Sequence, residues 1–200
     1  VRATHVHADH FGAQAVGRHL AANPRAVFVS TAQAVEALER DFAGFDAIRS
    51  RVRVATPTPA EPVSFPDLGL TVLDLHHGET RRPPIQNHGY VVALGGLELL
   101  HIGDTETTAE QLAAQDLAAR AIDVAFVPSW YFTERPWKGA IEASIRPRQV
   151  VVMHLAPRWK TEAATSNQRE SRARVPRIRS AHPDAGIFEA PLERRVLGTR

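Results

Sequence analysis

The 200-residue sequence predicts a single α/β domain in which layered helices cover a sheet. Three observations carry this prediction. Hairpin-forming strands occupy the middle of the chain, and strand–helix alternation fills its last third. The composition, 44% hydrophobic and 23% charged, is that of one soluble globular domain. That much apolar sequence builds a core without covalent staples, and the chain has no Cys. Thiol chemistry, Cys-ligated zinc and iron–sulfur clusters are thereby excluded. No apolar run approaches 18 residues, so no membrane span is expected. Metal binding stays open: of ten His, His5, His7 and His10 fall within the first ten residues.

The elements follow in order. Residues 4–10 read as a strand end and loop. Residues 11–22 form an Ala-rich helix stopped by Asn23-Pro24. A short apolar strand at 26–30 leads into a helix over 31–42, with Val35, Leu38 and Phe42 on one face. Strand-like stretches at 52–55, 63–65 and 70–76 are separated by Pro57, Pro59, Pro62 and Pro66. Residues 90–94 and 97–102 form a hairpin across Gly95-Gly96, because glycine tolerates the positive φ of a tight turn. A helix over 108–121 has Thr108 as its N-cap. Strands at 124–127 and 150–153 flank a helix over 136–145, and the pattern weakens beyond Ala156 until 186–190.

The chain is charge-asymmetric. Residues 1–134 hold 10 basic and 16 acidic side chains, residues 135–200 hold 14 and 6. Arg169, Arg172, Arg174, Arg177 and Arg179 form the densest cluster. It reads either as a solvated face or as a grip on phosphate or nucleic acid. The sole Met is Met153, so Val1 reads as an interior position. No signal peptide is visible, and the cytoplasm is the default compartment.

Thr4-His5-Val6-His7-Ala8-Asp9-His10 is the sharpest feature. In a chain of this composition chance produces H-x-H-x-D-H roughly once in a thousand. In extended backbone His5 and His7 would share a face at about 7 Å, from which two imidazoles converge on one cation. Asp9 and His10, at the turn into the next helix, would face a second. Three further places supply metal-capable side chains at strand ends: His76-His77-Gly78, Asp104 within Gly103-Asp104-Thr105, and His154. Nitrogen and carboxylate ligands without thiolate suit Zn2+, with Mn2+ or Fe2+ as alternatives.

H-x-H-x-D-H, a strand-end His, G-D-T and a last strand-end His, in this order over residues 5–154, resemble the metallo-β-lactamase-fold superfamily. The resemblance implies an αβ/βα sandwich with a dinuclear site on its edge, here lacking the N-terminal strands that precede the motif in family members. It implies that His5, His7 and a later His hold metal one, and that Asp9, His10 and His154 hold metal two. Asp104 would bridge both, with a hydroxide between them. His77 is the choice for the third ligand of metal one; His76 and His88 are its rivals, and a one-residue shift turns a strand side chain to the other face. His101 reads as a packed, hydrogen-bonded histidine, and His19 and His182 as bystanders. The G-D-T Asp resembles branches acting on thioesters, phosphodiesters, lactones and RNA rather than true β-lactamases. The short Asn87-x-Gly89-Tyr90 and Pro128-Ser129-Trp130-Tyr131 motifs resemble the branch with sugar-lactone hydrolases and N-acyl-phosphatidylethanolamine phospholipase D.

The expected activity is therefore hydrolysis of an ester, lactone, thioester, amide or phosphodiester bond in a small-molecule substrate, with two divalent ions as cofactor. Asp9 and Asp104 are the catalytic candidates, Asp9 as a ligand that also accepts a proton. No G-x-S-x-G, P-loop or G-x-G-x-x-G occurs. Trp130, Tyr131, Phe132 and Trp137 read as a pocket wall or lid near the metals, or as packing of the 136–145 helix; Ser129 reads as a turn or cap residue. Two rival readings are a nuclease using the Arg cluster, whose binding would weaken steeply with salt, and a metal-binding fragment without turnover.

Overall fold

The computed structural model describes residues 1–78, 83–156, 166–190 and 193–196. They fall into two compact units, Val1–Val91 with Ile102–Thr107, and Val92–His101 with Thr108–Arg200.

In the first unit, α1 (Ala13–Ala22) begins after Gly12, a cap residue without a side-chain acceptor. It ends at the expected place, where the Asn23 amide donates to the His19 carbonyl at 2.8 Å. Strands β1 (Phe28–Ser30) and β2 (Val52–Val54) pair in parallel, Phe28 opposite Val52. Parallel pairing needs a crossover, and α2 (Ala32–Asp41) lies in it. Thr31 caps α2 by accepting from the Ala34 N–H at 3.2 Å. A Cβ on Gly17 would lie 2.3 Å from the Phe42 ring, so only glycine permits that approach to α1. Leu20, Phe28, Leu38, Phe45 and Ile48 fill the core between these elements. Strands β3 (Val63–Phe65) and β4 (Leu70–Asp74) are antiparallel, and β5 (His88–Leu94) follows β4 in the sheet order. The strand expected over 70–76 stops at Asp74, which frees residues 75–78 to form a loop.

In the second unit, the end of β5 turns through Gly95 and Gly96, at φ 61 and 81, into β6 (Leu97–His101). This is the turn that the Gly-Gly pair predicts. Strands β6, β7 (Val124–Pro128), β8 (Gln149–Met153) and β9 (Gly186–Ile187) lie side by side in that order, all parallel. Their carboxyl ends therefore share one edge, where β7 runs into Ser129 and β8 into His154. The helix expected over 108–121 is interrupted. Thr108 and Gln111 form a reciprocal capping box for α3 (Ala109–Ala113), but Asp116 is left-handed at φ 50, and a 3-10 turn, Leu117–Arg120, follows. The helix expected over 136–145 reduces to a π turn at Ile141–Ile145. Two helices unread in the sequence, α4 (Ser166–Ala173) and α5 (Val175–Ala181), lie in the crossover from β8 to β9. No described helix is long and apolar enough to cross a membrane.

Candidate metal centre

The histidine motif is a bend and turn rather than a strand. The His7 carbonyl accepts from the N–H groups of His10 (2.9 Å) and Phe11 (2.8 Å), which folds the segment back on itself. The His5 and His7 rings consequently lie 4.7 Å apart, closer than extended backbone would set them. His77 joins them, its ring 4.8 Å from His5 and 4.9 Å from His7. One ligand atom from each of these three imidazoles lies within 4.8 Å of the others.

Backbone bonds decide which histidine turns inward. The His76 carbonyl accepts from the Thr105 hydroxyl and from the Glu106 N–H, both at 2.8 Å. His76 is exposed, and the His77 ring meets His5 and His7. Gly78 follows at φ 83, where a Cβ would lie 2.1 Å from the Glu106 carboxylate. His88 is buried against Tyr90, the two ring centroids 6.2 Å apart. Burial pushes it down to about 4, and its Nδ1 has no hydrogen-bond partner among the described residues.

Asp104 is 9% exposed and presents its two oxygens to different histidines. Oδ1 lies 3.2 Å from His10 Nε2, and Oδ2 lies 3.9 Å from His5 Nε2. Exposed Asp9 reaches His10 Nε2 at 3.6 Å. Six of the seven predicted ligands thus belong to the first unit. The seventh, His154, is an exposed residue of the second unit at φ 57, its ring 5.1 Å from Trp130.

Two residues that sequence reasoning passed over hold this arrangement. Asn87, 2% exposed, donates to the carbonyls of Leu75 (3.1 Å) and Ile102 (3.2 Å) and accepts from the Asp104 N–H (3.1 Å). It ties the loop of His77 to the loop of Asp104. Its only sequence signal is the short Asn87-x-Gly89-Tyr90 motif. Thr4 lies 3.0 Å from His5 Nδ1 and 3.5 Å from His10 Nδ1 through its hydroxyl, and its carbonyl accepts from the His88 N–H at 2.8 Å.

The donor set fits divalent metal. His5 is fully buried and its Nε2 has no hydrogen-bond partner among the described residues, an arrangement that costs free energy unless a cation takes the lone pair. Burial first, then the neighbouring His10, lowers His5 to about 3, so its imidazole is neutral at physiological pH, the form that binds metal.

Other expectations resolve by packing. Tyr131 and Phe132 are buried core residues, whereas Trp130 and Trp137 are half-buried. Tyr131 packs on Trp137 at 6.3 Å. Ser129 is fully buried. His101 stacks on Phe126 at 5.9 Å, as a packed histidine. Four members of the Arg cluster are engaged within the second unit. Arg174 pairs with Glu134 (2.5 Å) and Glu170 (3.4 Å), Arg179 with Glu189 (2.9 Å). Arg177 donates to the Thr133 carbonyl at 3.3 Å, and Arg172 to that of Ala156.

Residues 1–173 match a family model described as a β-lactamase superfamily domain. No curated protein matches significantly. Among solved structures, the chain is similar to Igni18, a metallo hydrolase from the archaeon Ignicoccus hospitalis, at 21% identity and TM-score 0.55, over 95% of this chain and 75% of that one. It is similar to a mutant of the CmlA β-hydroxylase at 13% identity and TM-score 0.54, over 94% of this chain but only 42% of that chain. Yeast PDE1 aligns at 14% identity and TM-score 0.52, over 95% of this chain and 66% of its own.

Proposed function

The chain belongs to the β-lactamase superfamily, and from that membership we propose that it is a dinuclear-metal hydrolase acting on an ester, lactone, thioester, amide or phosphodiester bond of a small molecule. The observation that carries the proposal is the meeting of the three-imidazole group with Asp104, whose oxygens face His5 and His10 separately. In this reading His5, His7 and His77 hold one ion, and Asp9, His10 and His154 hold the other, with Asp104 between them. The assignment of His154 rests on the family motif. Bound there, two divalent ions supply Lewis acidity and lower the pKa of a water toward neutrality.

The chain's own groups do the rest. His5, neutral and buried, offers a fixed lone pair at Nε2. Asp104 is held by the Asn87 bond to its backbone N–H, with its carboxylate between His5 and His10. The exposure of Asp9 and its closeness to His10 support a role for its carboxylate as proton acceptor on the solvent side. No side-chain nucleophile is required. The paired Arg172, Arg174, Arg177 and Arg179 weaken the nuclease alternative, because their charges already serve intramolecular acceptors.

Elemental analysis combined with a panel of lactone, thioester and bis-p-nitrophenyl phosphate substrates tests the reading. Two ions per chain and turnover of at least one substrate are expected. His7→Ala and Asp104→Ala should each abolish hydrolysis while leaving the far-UV spectrum unchanged. Because the CmlA β-hydroxylase shares the fold, iron with oxygen consumption and no hydrolysis is the outcome that would sink the proposal.

A further inference from the structure

Thr4 occupies a position that links the two metal groups of the reading above, on which this inference rests. Its side chain is 6% exposed, and its hydroxyl oxygen lies 3.0 Å from His5 Nδ1 and 3.5 Å from His10 Nδ1. Those two imidazoles sit 4.2 Å apart and turn their opposite nitrogens, Nε2, toward the two oxygens of Asp104. Each ring is thus bracketed: hydroxyl on the Nδ1 side, carboxylate on the Nε2 side.

Proton counting makes the bracket informative. A neutral imidazole carries one N–H, and a nitrogen that ligates metal must carry none. If Nε2 ligates, Nδ1 holds the proton and needs an acceptor. A hydroxyl oxygen has two lone pairs, so one Thr4 can accept from both rings at once. Its place is fixed from three sides. The His88 N–H holds its carbonyl at 2.8 Å. A Cβ on Gly103 would lie 2.9 Å from the Thr4 Cβ, so the glycine before Asp104 leaves room for the side chain. The β-branch restricts χ1 and keeps the hydroxyl aimed.

We infer that Thr4 is a positioning residue whose single hydroxyl accepts the Nδ1–H of both His5 and His10, setting both rings for Nε2 ligation and coupling the two ion sites. Filling one site commits the hydroxyl to its acceptor role and pre-orients the ring of the other, so the two ions bind cooperatively.

The test is a zinc titration of the apo protein against a chromophoric chelator, read with long-range 1H–15N NMR of the imidazoles. Wild type should bind two ions with positive cooperativity, with His5 and His10 both in the Nδ1–H form. Thr4→Val, nearly isosteric, should weaken both sites by about 10- to 100-fold and abolish the cooperativity, whereas Thr4→Ser should stay near wild type. Should Thr4→Val fail to fold, Thr4→Ala against Thr4→Ser makes the same comparison. Equal losses in Ala and Ser, or wild-type affinity at both sites in Thr4→Val, would overturn the inference, as would Nε2–H tautomers in the zinc-loaded protein. A wild type that binds no zinc sinks the two-ion reading and the inference together; two bound ions with an indifferent Thr4 sink the inference alone.

Discussion

His88 shows what burial alone does to a titratable side chain. Its folded pKa is pushed down to about 4 from 6.5, and desolvation is the cause. Between those values the unfolded chain binds a proton that the folded chain refuses. Stability is therefore full above about pH 6.5 and falls as the pH drops toward 4. Denaturant melts of the metal-free protein should lose on the order of 1 kcal/mol per pH unit per such histidine across that window. His88→Phe should flatten the slope, and His5, lowered to about 3, supplies the part that remains. Residue identity was the most legible level of the site: the motif and Asp104 stand out in the sequence because those side chains have few reasons to cluster except metal. Between His76 and His77 the sequence preferred His77 but held no local signal that fixes which ring turns inward. That depends on the hydrogen bonds that the His76 carbonyl accepts from Thr105 and Glu106, residues some thirty positions away.

Loops rather than helices or strands carry the site, and glycines set how closely those loops approach. At Gly78 and Gly103 the backbone is left-handed, with φ 83 and 61. A Cβ there would lie 2.1 Å from the Glu106 carboxylate and 2.2 Å from the Asn87 side-chain oxygen Oδ1, respectively. Gly103→Ala therefore adds backbone strain to the displacement of Asn87 and should destabilise the protein by about 1–3 kcal/mol. It should also weaken zinc binding, since Asn87 holds the Asp104 N–H; thermal melts and chelator competition check the two effects separately. The elements themselves were unevenly readable. The hairpin at Gly95-Gly96 and the caps Thr31 and Thr108 follow from local chemistry. In contrast α4, with the sequence SNQRESRA, has no apolar stripe to mark it. Its Ser171 instead accepts from the Ala156 N–H at 3.0 Å, a contact no periodicity announces.

At the scale of the molecule, six candidate ligands come from three stretches of the first unit: residues 5–10, His77 and Asp104. Ions that bind only the folded arrangement add stability by mass action, about 2.7 kcal/mol at a hundredfold excess over Kd. Removing them with a chelator should lower Tm by roughly 5–10 °C, and added Zn2+ should restore it; an unchanged Tm would mean that the loops do not depend on metal. The sequence by itself determined the class of fold and the candidate His/Asp ligand set, because periodicity, turn glycines and a thiol-free His/Asp motif are local properties. Tertiary structure alone decided which histidine completes the first group, how the Asp104 oxygens divide between His5 and His10, and that Thr4 and Asn87 frame the site. Those outcomes depend on contacts between residues far apart in the chain, and no local pattern encodes the direction in which a loop side chain finally points.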